Sequence, residues 1–144
     1  MKRRNGFFSF SIVTVAVLTL SLALTAATLA WQHFQMARTY EETVRLTYLA
    51  ESALCESWNQ LRQDPDAFLA GQAMAVPRAE GLAGPGDILT VRCQYQPAGQ
   101  TPGGYLQARA AAPGTGVQQT CGLHFTVTAD EQGRTVLHFV QYVN

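Results

Sequence analysis

Hydrophobic positions along this chain change their spacing twice. Residues 6–31 (GFFSFSIVTVAVLTLSLALTAATLAW) contain no charged residue and no proline, so a helix built from them is apolar at every phase. From 32 to 62 there is neither Gly nor Pro, and apolar residues recur three and four apart. From 87 onward apolar and polar residues alternate at period two, the spacing of a strand with one covered face.

The first run exceeds the roughly 20 residues that span a ~30 Å hydrocarbon core, which predicts a membrane-crossing helix. Ser9, Ser11, Thr14, Thr19, Ser21, Thr25 and Thr28 interrupt it without forbidding insertion, because their hydroxyls can bond carbonyls of the preceding turn. Residues 32–62 are rich in Ala, Leu, Glu, Gln and Arg, so nothing stops the helix at the membrane surface. With Leu54 as reference, Thr47, Ala50, Glu51, Trp58 and Leu61 share its side, Tyr48 and Cys55 lie on the flank, and Arg45, Glu56, Gln60 and Arg62 fall mostly elsewhere. Asp64-Pro65-Asp66 ends the element. The expectation is one helix of roughly 55 residues over 7–63, about 80 Å long, with Leu54, Trp58 and Leu61 packing on whatever follows.

Pro and Gly punctuate 64–86, which reads as a connection holding at most a helical turn around 66–75. Four strands are expected beyond it: 87–96, 105–111, 121–129 and 134–143, the Ala-rich second being the least regular. Residues 97–104 and Pro113-Gly114-Thr115-Gly116 read as loops. Between the last two strands, Glu131-Gln132-Gly133 fits a three-residue hairpin loop with Gly133 at positive φ. That choice sets Val127 opposite Leu137 and Phe125 opposite Phe139, apolar against apolar. The fold expected is α+β: a long N-terminal helix, half membrane and half amphipathic, packed on an antiparallel sheet of about four strands.

Composition narrows the function classes. Less its membrane run, the 144-residue chain keeps about 110 residues, enough for one small domain. Ten basic and ten acidic residues cancel, and Lys2-Arg3-Arg4 is the one basic cluster, so nucleic acid is not an expected partner. The triplet does favour a cytoplasmic N-terminus and an exported remainder. The opening also admits a signal peptide cut after Thr28-Leu29-Ala30, although its apolar region is too long, or a plain signal anchor.

The opening and the helix together resemble the type IV pilin superfamily, with its minor pilins and the pseudopilins of secretion and competence systems. Lys2-Arg3-Arg4-Asn5-Gly6 looks like the basic leader, Phe7 like the first mature residue, and Tyr48-Leu49-Ala50-Glu51-Ser52-Ala53-Leu54 is similar to a stretch common in the helices of minor pilins. The resemblance covers the first ~60 residues by motif and the rest by architecture. It implies a leader at 1–6, an assembly half of the helix at 7–31, an amphipathic half at 32–63, a connection at 64–86 and a sheet domain at 87–144. It further implies cleavage after Gly6 by a prepilin peptidase, methylation at Phe7, an inner-membrane assembly platform and neighbouring pilin subunits as partners, and a non-catalytic filament role outside the cytoplasm. Most members carry a glutamate five residues after the cut, which neutralises a neighbour's terminal amine within the fibre. Here that position is Ser11, a departure that points to a tip or low-abundance subunit. Independently of the family, Ala23, Ala26, Ala27 and Ala30 permit close helix approach in a filament core. The rival reading is a single-pass anchored or secreted β-rich binding module with no polymer partner.

No nucleophile motif, phosphate loop or metalloprotease motif is present, so neither an enzyme nor a cofactor is expected. Cys93, Cys121, His124 and His138 do not make a zinc set, because Cys121 and His124 face opposite sides of one strand. The two histidines fall on the outer sheet face. Cys55, Cys93 and Cys121 are an odd number in a compartment that allows disulfides. In simple meander order the intervening strand separates Cys93 from Cys121, leaving Cys55 as a staple to either, three buried thiols as the alternative, and another strand order as the condition for pairing the two strand cysteines.

Overall fold

The computed structural model describes residues 4–69, 83–97 and 102–143. Helix α1 runs Arg4–Gln63 without a break and α2 is one short turn, Pro65–Leu69. Strands β1 (Ile88–Gln96), β2 (Gly103–Ala112), β3 (Val117–Ala129) and β4 (Thr135–Val143) follow. They form one antiparallel sheet in the order β1-β2-β3-β4. This is the α+β arrangement the patterning predicts, with a single long helix packed on a four-stranded meander.

Contacts divide the chain at Tyr40, with Glu41–Asn144 as a compact unit of its own. Within that unit α1 buries Leu46, Leu49, Ala50, Ala53, Leu54, Ser57 and Leu61. The buried stripe is therefore rotated from the expected one. Leu46, Leu49, Ala53 and Ser57 lie in its middle, whereas Thr47, Glu51 and Trp58 are half-buried at its margins. Centring on Leu54 assigned the margin correctly on one side and displaced the other. What fixes the phase is the partner surface, which a helix read in isolation does not reveal.

Sheet residues facing the helix are Leu106, Ala108, Ala110 and Ala112 of β2 with Cys121, Leu123 and Phe125 of β3, and Leu89, Val91, Cys93, Tyr95, Val127 and Leu137 are half-buried around them. The Ala-rich strand, the least regular by composition, is a full central strand. Its alanines share one core with Ala50 and Ala53 of α1, so the small side chains of this strand are buried under the helix rather than left at an edge. The Ser57 hydroxyl is fully buried and has no hydrogen-bond partner among the described residues.

The β3–β4 hairpin has the expected register, Val127 opposite Leu137 and Phe125 opposite Phe139. Gly133 has φ of 74°, and Asp130 closes the loop by accepting from the Gln132 and Arg134 amides at 2.8 Å each. Beyond Phe139 a bulge shifts the register, so His124 pairs with Gln141. Strand β3 begins at Val117 and β2 at Gly103, both earlier than the alternation suggested, since β3 starts on a polar stretch and β2 on two glycines. The turn expected around 66–75 is observed over Pro65–Leu69, with the remainder outside the described residues.

Two glycines lock strand pairing. A Cβ on Gly104 would stand 2.4 Å from Phe125 Cζ and 2.6 Å from the Gln94 carbonyl oxygen, so the Phe125 ring lies over bare backbone on the inner face. On the outer face a Cβ on Gly122 would stand 2.2 Å from Tyr105 Oη. Each aromatic ring fills the space its cross-strand glycine leaves empty, and a slip of one residue would lose both fits.

Candidate functional site

Three regions carry the chain's chemistry, and the first is the N-terminal part of α1. It is long and apolar enough to span a membrane. Between residues 8 and 40 every side chain is exposed except that of Ser11, which is half-buried. Phe8, Ile12, Leu22 and Met36 each show about two thirds of their surface. Such a surface is stable in lipid or against other apolar helices. Its hydroxyls are absorbed by the helix: Thr14 donates to the Phe10 carbonyl at 2.9 Å, Ser21 to Val17 and Thr25 to Ser21 at 2.8 Å. Gly6 and Phe7 lie within the helix, and their side-chain environment is outside the described residues.

Thiols and a tyrosine make the second region. Cys55, Cys93 and Cys121 are free, respectively exposed, half-buried and buried. Strand β2 separates Cys93 from Cys121, Cys93 being opposite Leu106 and Cys121 opposite Ala108. Beside Cys121, Tyr142 Oη donates to Glu51 Oε1 at 3.0 Å, tying the end of β4 to the flank of α1. Burial pushes the Cys121 thiol up to about 11, and raises Cys93 for the same reason. Tyr142 is also shifted up, first by desolvation and then by its bond to the Glu51 carboxylate. These groups are held in their neutral forms and are poor nucleophiles.

At the opposite edge of the sheet, just before β1, a clasp joins α1 to the connection. Arg45 Nη1 donates to Asp87 Oδ2 at 2.5 Å and Nη2 to Oδ1 at 3.3 Å, while the Gly84 amide donates to the same carboxylate at 2.7 Å. Glu42 adds a longer ion pair at 3.6 Å. The guanidinium's hydrogen bond holds the Asp87 carboxyl below the usual carboxylate range and raises Arg45. The sequence does not announce this clasp, because Arg45 lies off the expected apolar stripe and Asp87 stands 42 positions away at the edge of an expected strand.

The packing trio is brought together in part: Leu54 and Leu61 are buried, and the half-buried Trp58 ring lies 5.8 Å from that of Phe125. His124 and His138 are both on the outer face. The His124 ring stacks 4.7 Å from Tyr105, and His138 Nε2 is 2.8 Å from Thr128 Oγ1. Among the described residues no group of three or more His, Cys, Asp or Glu is placed to hold a metal ion.

The third region is the outer sheet face, where a groove of about 570 Å³ lies between Gln94 and Gln96 on one side and His124 and Gln141 on the other, with Tyr105 between them. No family model matches this sequence, and neither the curated proteins nor the solved structures offer a match.

Proposed function

We propose that this chain is a structural, non-catalytic subunit of a type IV pilin-like filament, of the minor pilin or pseudopilin kind, trimmed after Gly6 by a prepilin peptidase. One observation carries the reading. A single 60-residue helix is exposed and apolar over its first part, then buries a stripe of its second part under an antiparallel meander. A membrane anchor alone needs roughly 20 residues. The helix continues past the length an anchor needs and enters the domain core, and the exposed apolar surface of its first part can pass from bilayer to a bundle of like helices without gaining contact with water. On this reading the domain beyond Tyr40 lies outside the cytoplasm, Phe7 is the mature terminus, and the other subunits and the inner-membrane assembly platform are the partners.

Ser11 refines the proposal. A subunit within a fibre must neutralise a neighbour's buried terminal amine, and an unpaired buried charge costs several kcal/mol. A subunit with a hydroxyl at that position is tolerated where no neighbour's amine arrives, which supports a tip or low-abundance role.

Intact mass of the protein from its native host tests the reading. Loss of residues 1–6, with or without methylation at Phe7, supports it. Cleavage after Ala30 would overturn it, and an uncut chain would favour the anchored binding module.

A further inference from the structure

The four strands contain no Asp or Glu at all, and the Arg residues they contain are Arg92 and Arg109. Both are exposed on the outer face. Thr90 pairs with Arg109 and Arg92 with Gln107, so the two guanidiniums sit on one diagonal of a square whose other corners are a hydroxyl and an amide. Like charges at that diagonal, ~7–8 Å apart between Cα atoms, repel one another. Arg109 donates to Gln118 Oε1, but neither arginine forms an ion pair among the described residues. A cavity of about 70 Å³ opens between Thr90, Arg92, Gln107 and Arg109. That exceeds the ~10–15 Å³ needed to admit one water. All four side chains lining it can donate hydrogen bonds, and none is anionic.

The same two strands carry the surface onward. Beyond Arg92 on β1 come Gln94 and Gln96, and beyond Gln107 on β2 comes Tyr105, so the cationic pocket leads directly into the 570 Å³ groove. Glutamine amides donate and accept, which suits hydroxyl groups of either orientation.

We propose that this outer face binds an acidic polysaccharide, with a uronate carboxylate between Arg92 and Arg109 and the hydroxyl-bearing rings toward Gln94, Gln96 and Gln141. Charge complementarity sets the anion, and the single cationic pair sets its spacing. A nucleic acid offers a phosphate at every nucleotide and calls for a row of cations, whereas a sugar chain bound here presents one charge beside a neutral, hydroxylated stretch. The chemistry of the face is the same whether or not the chain polymerises, so failure of this binding leaves the filament reading standing.

The test uses the full chain in nanodiscs of uncharged lipid, titrated with an oligouronate in which each uronate alternates with a neutral sugar, with a dextran oligomer of equal length and with an oligothymidylate. The oligouronate is expected to bind, more weakly as salt rises, and dextran to bind several-fold less well. Arg92→Gln and Arg109→Gln should each weaken oligouronate binding about fivefold, as expected for a solvent-exposed ion pair. Arg62→Gln, an exposed change on α1, should leave it unaltered. The proposal is overturned if oligouronate does not bind, if dextran binds equally, if oligothymidylate binds more tightly, or if Arg62→Gln weakens binding as much as the sheet variants do.

Discussion

Gly104→Ala is the sharpest probe of what holds the sheet together. Alanine's intrinsic strand preference is no worse than glycine's, so on propensity alone the change is neutral or slightly stabilising. The packing says otherwise. The new methyl would sit 2.4 Å from Phe125 Cζ, 2.9 Å from Cε1 and 2.6 Å from the Gln94 carbonyl oxygen. The ring can tilt away, but the carbonyl belongs to the neighbouring strand and cannot move without disturbing the β1–β2 pairing. Overpacking of this kind costs ~1–3 kcal/mol, and displacing Phe125 from Trp58 forfeits up to about 1 more. A loss of ~1–4 kcal/mol should lower the midpoint of a domain of about 100 residues by roughly 5–20 °C. Thermal unfolding of the detergent-solubilised chain, followed by near-UV circular dichroism, reads this directly. Gly114→Ala is the control, since nothing lies within 4 Å of its added methyl. Phe125→Leu closes a double-mutant cycle: the double variant should be less destabilised than the sum of its singles, because removing the ring removes part of the clash. Stability of Gly104→Ala within about 0.5 kcal/mol of the parent, or strict additivity with Phe125→Leu, would refute the ring-over-glycine account.

Three further outcomes are expected. Because Asp87 titrates lower in the folded protein than unfolded, its contribution is complete above the unfolded carboxylate range and is lost as pH falls through the lowered folded value; Asp87→Asn should flatten stability in that acid window and cost about 1 kcal/mol at neutral pH, screening by solvent at Arg45 having been allowed for. Timed alkylation with mass detection should modify exposed Cys55 first and buried Cys121 only with denaturant; rapid labelling of Cys121 in the native protein would contradict its burial and raised thiol. A chain beginning at Glu41 should retain the near-UV signal and the unfolding midpoint of the full protein to within a few degrees, since the core residues of the sheet domain all lie beyond that point; an unfolded product would show that residues before Glu41 stabilise the domain.

Local pattern alone determined much of this protein. Absence of charge and proline over 6–31, and of Gly and Pro over 32–62, made one continuous helix, because helix formation is decided by residues within a turn of each other. Alternation located four strands, and Glu131-Gln132-Gly133 fixed a hairpin register that the coordinates reproduce residue for residue up to Phe139. Turn chemistry and side-chain period act over a few residues, so they are legible in one dimension.

Tertiary structure alone decided the rest. The phase of the buried helix stripe, with Leu46, Leu49 and Ala53 at its middle, depended on where β2 lies. The Ala-rich strand is central because β1 and β3 pair on its two sides and its alanines are buried in the core, a setting that its composition does not show. Arg45 and Asp87, separated by 42 positions, and Tyr142 and Glu51, by 91, met only when the chain folded back on its helix. The outer face with Arg92, Arg109 and the glutamine groove likewise exists only through the β1–β2 register, which sets side by side residues that no spacing along the chain connects. Contacts between distant segments are chosen by packing and pairing, and those are properties of the folded surface rather than of any stretch of sequence.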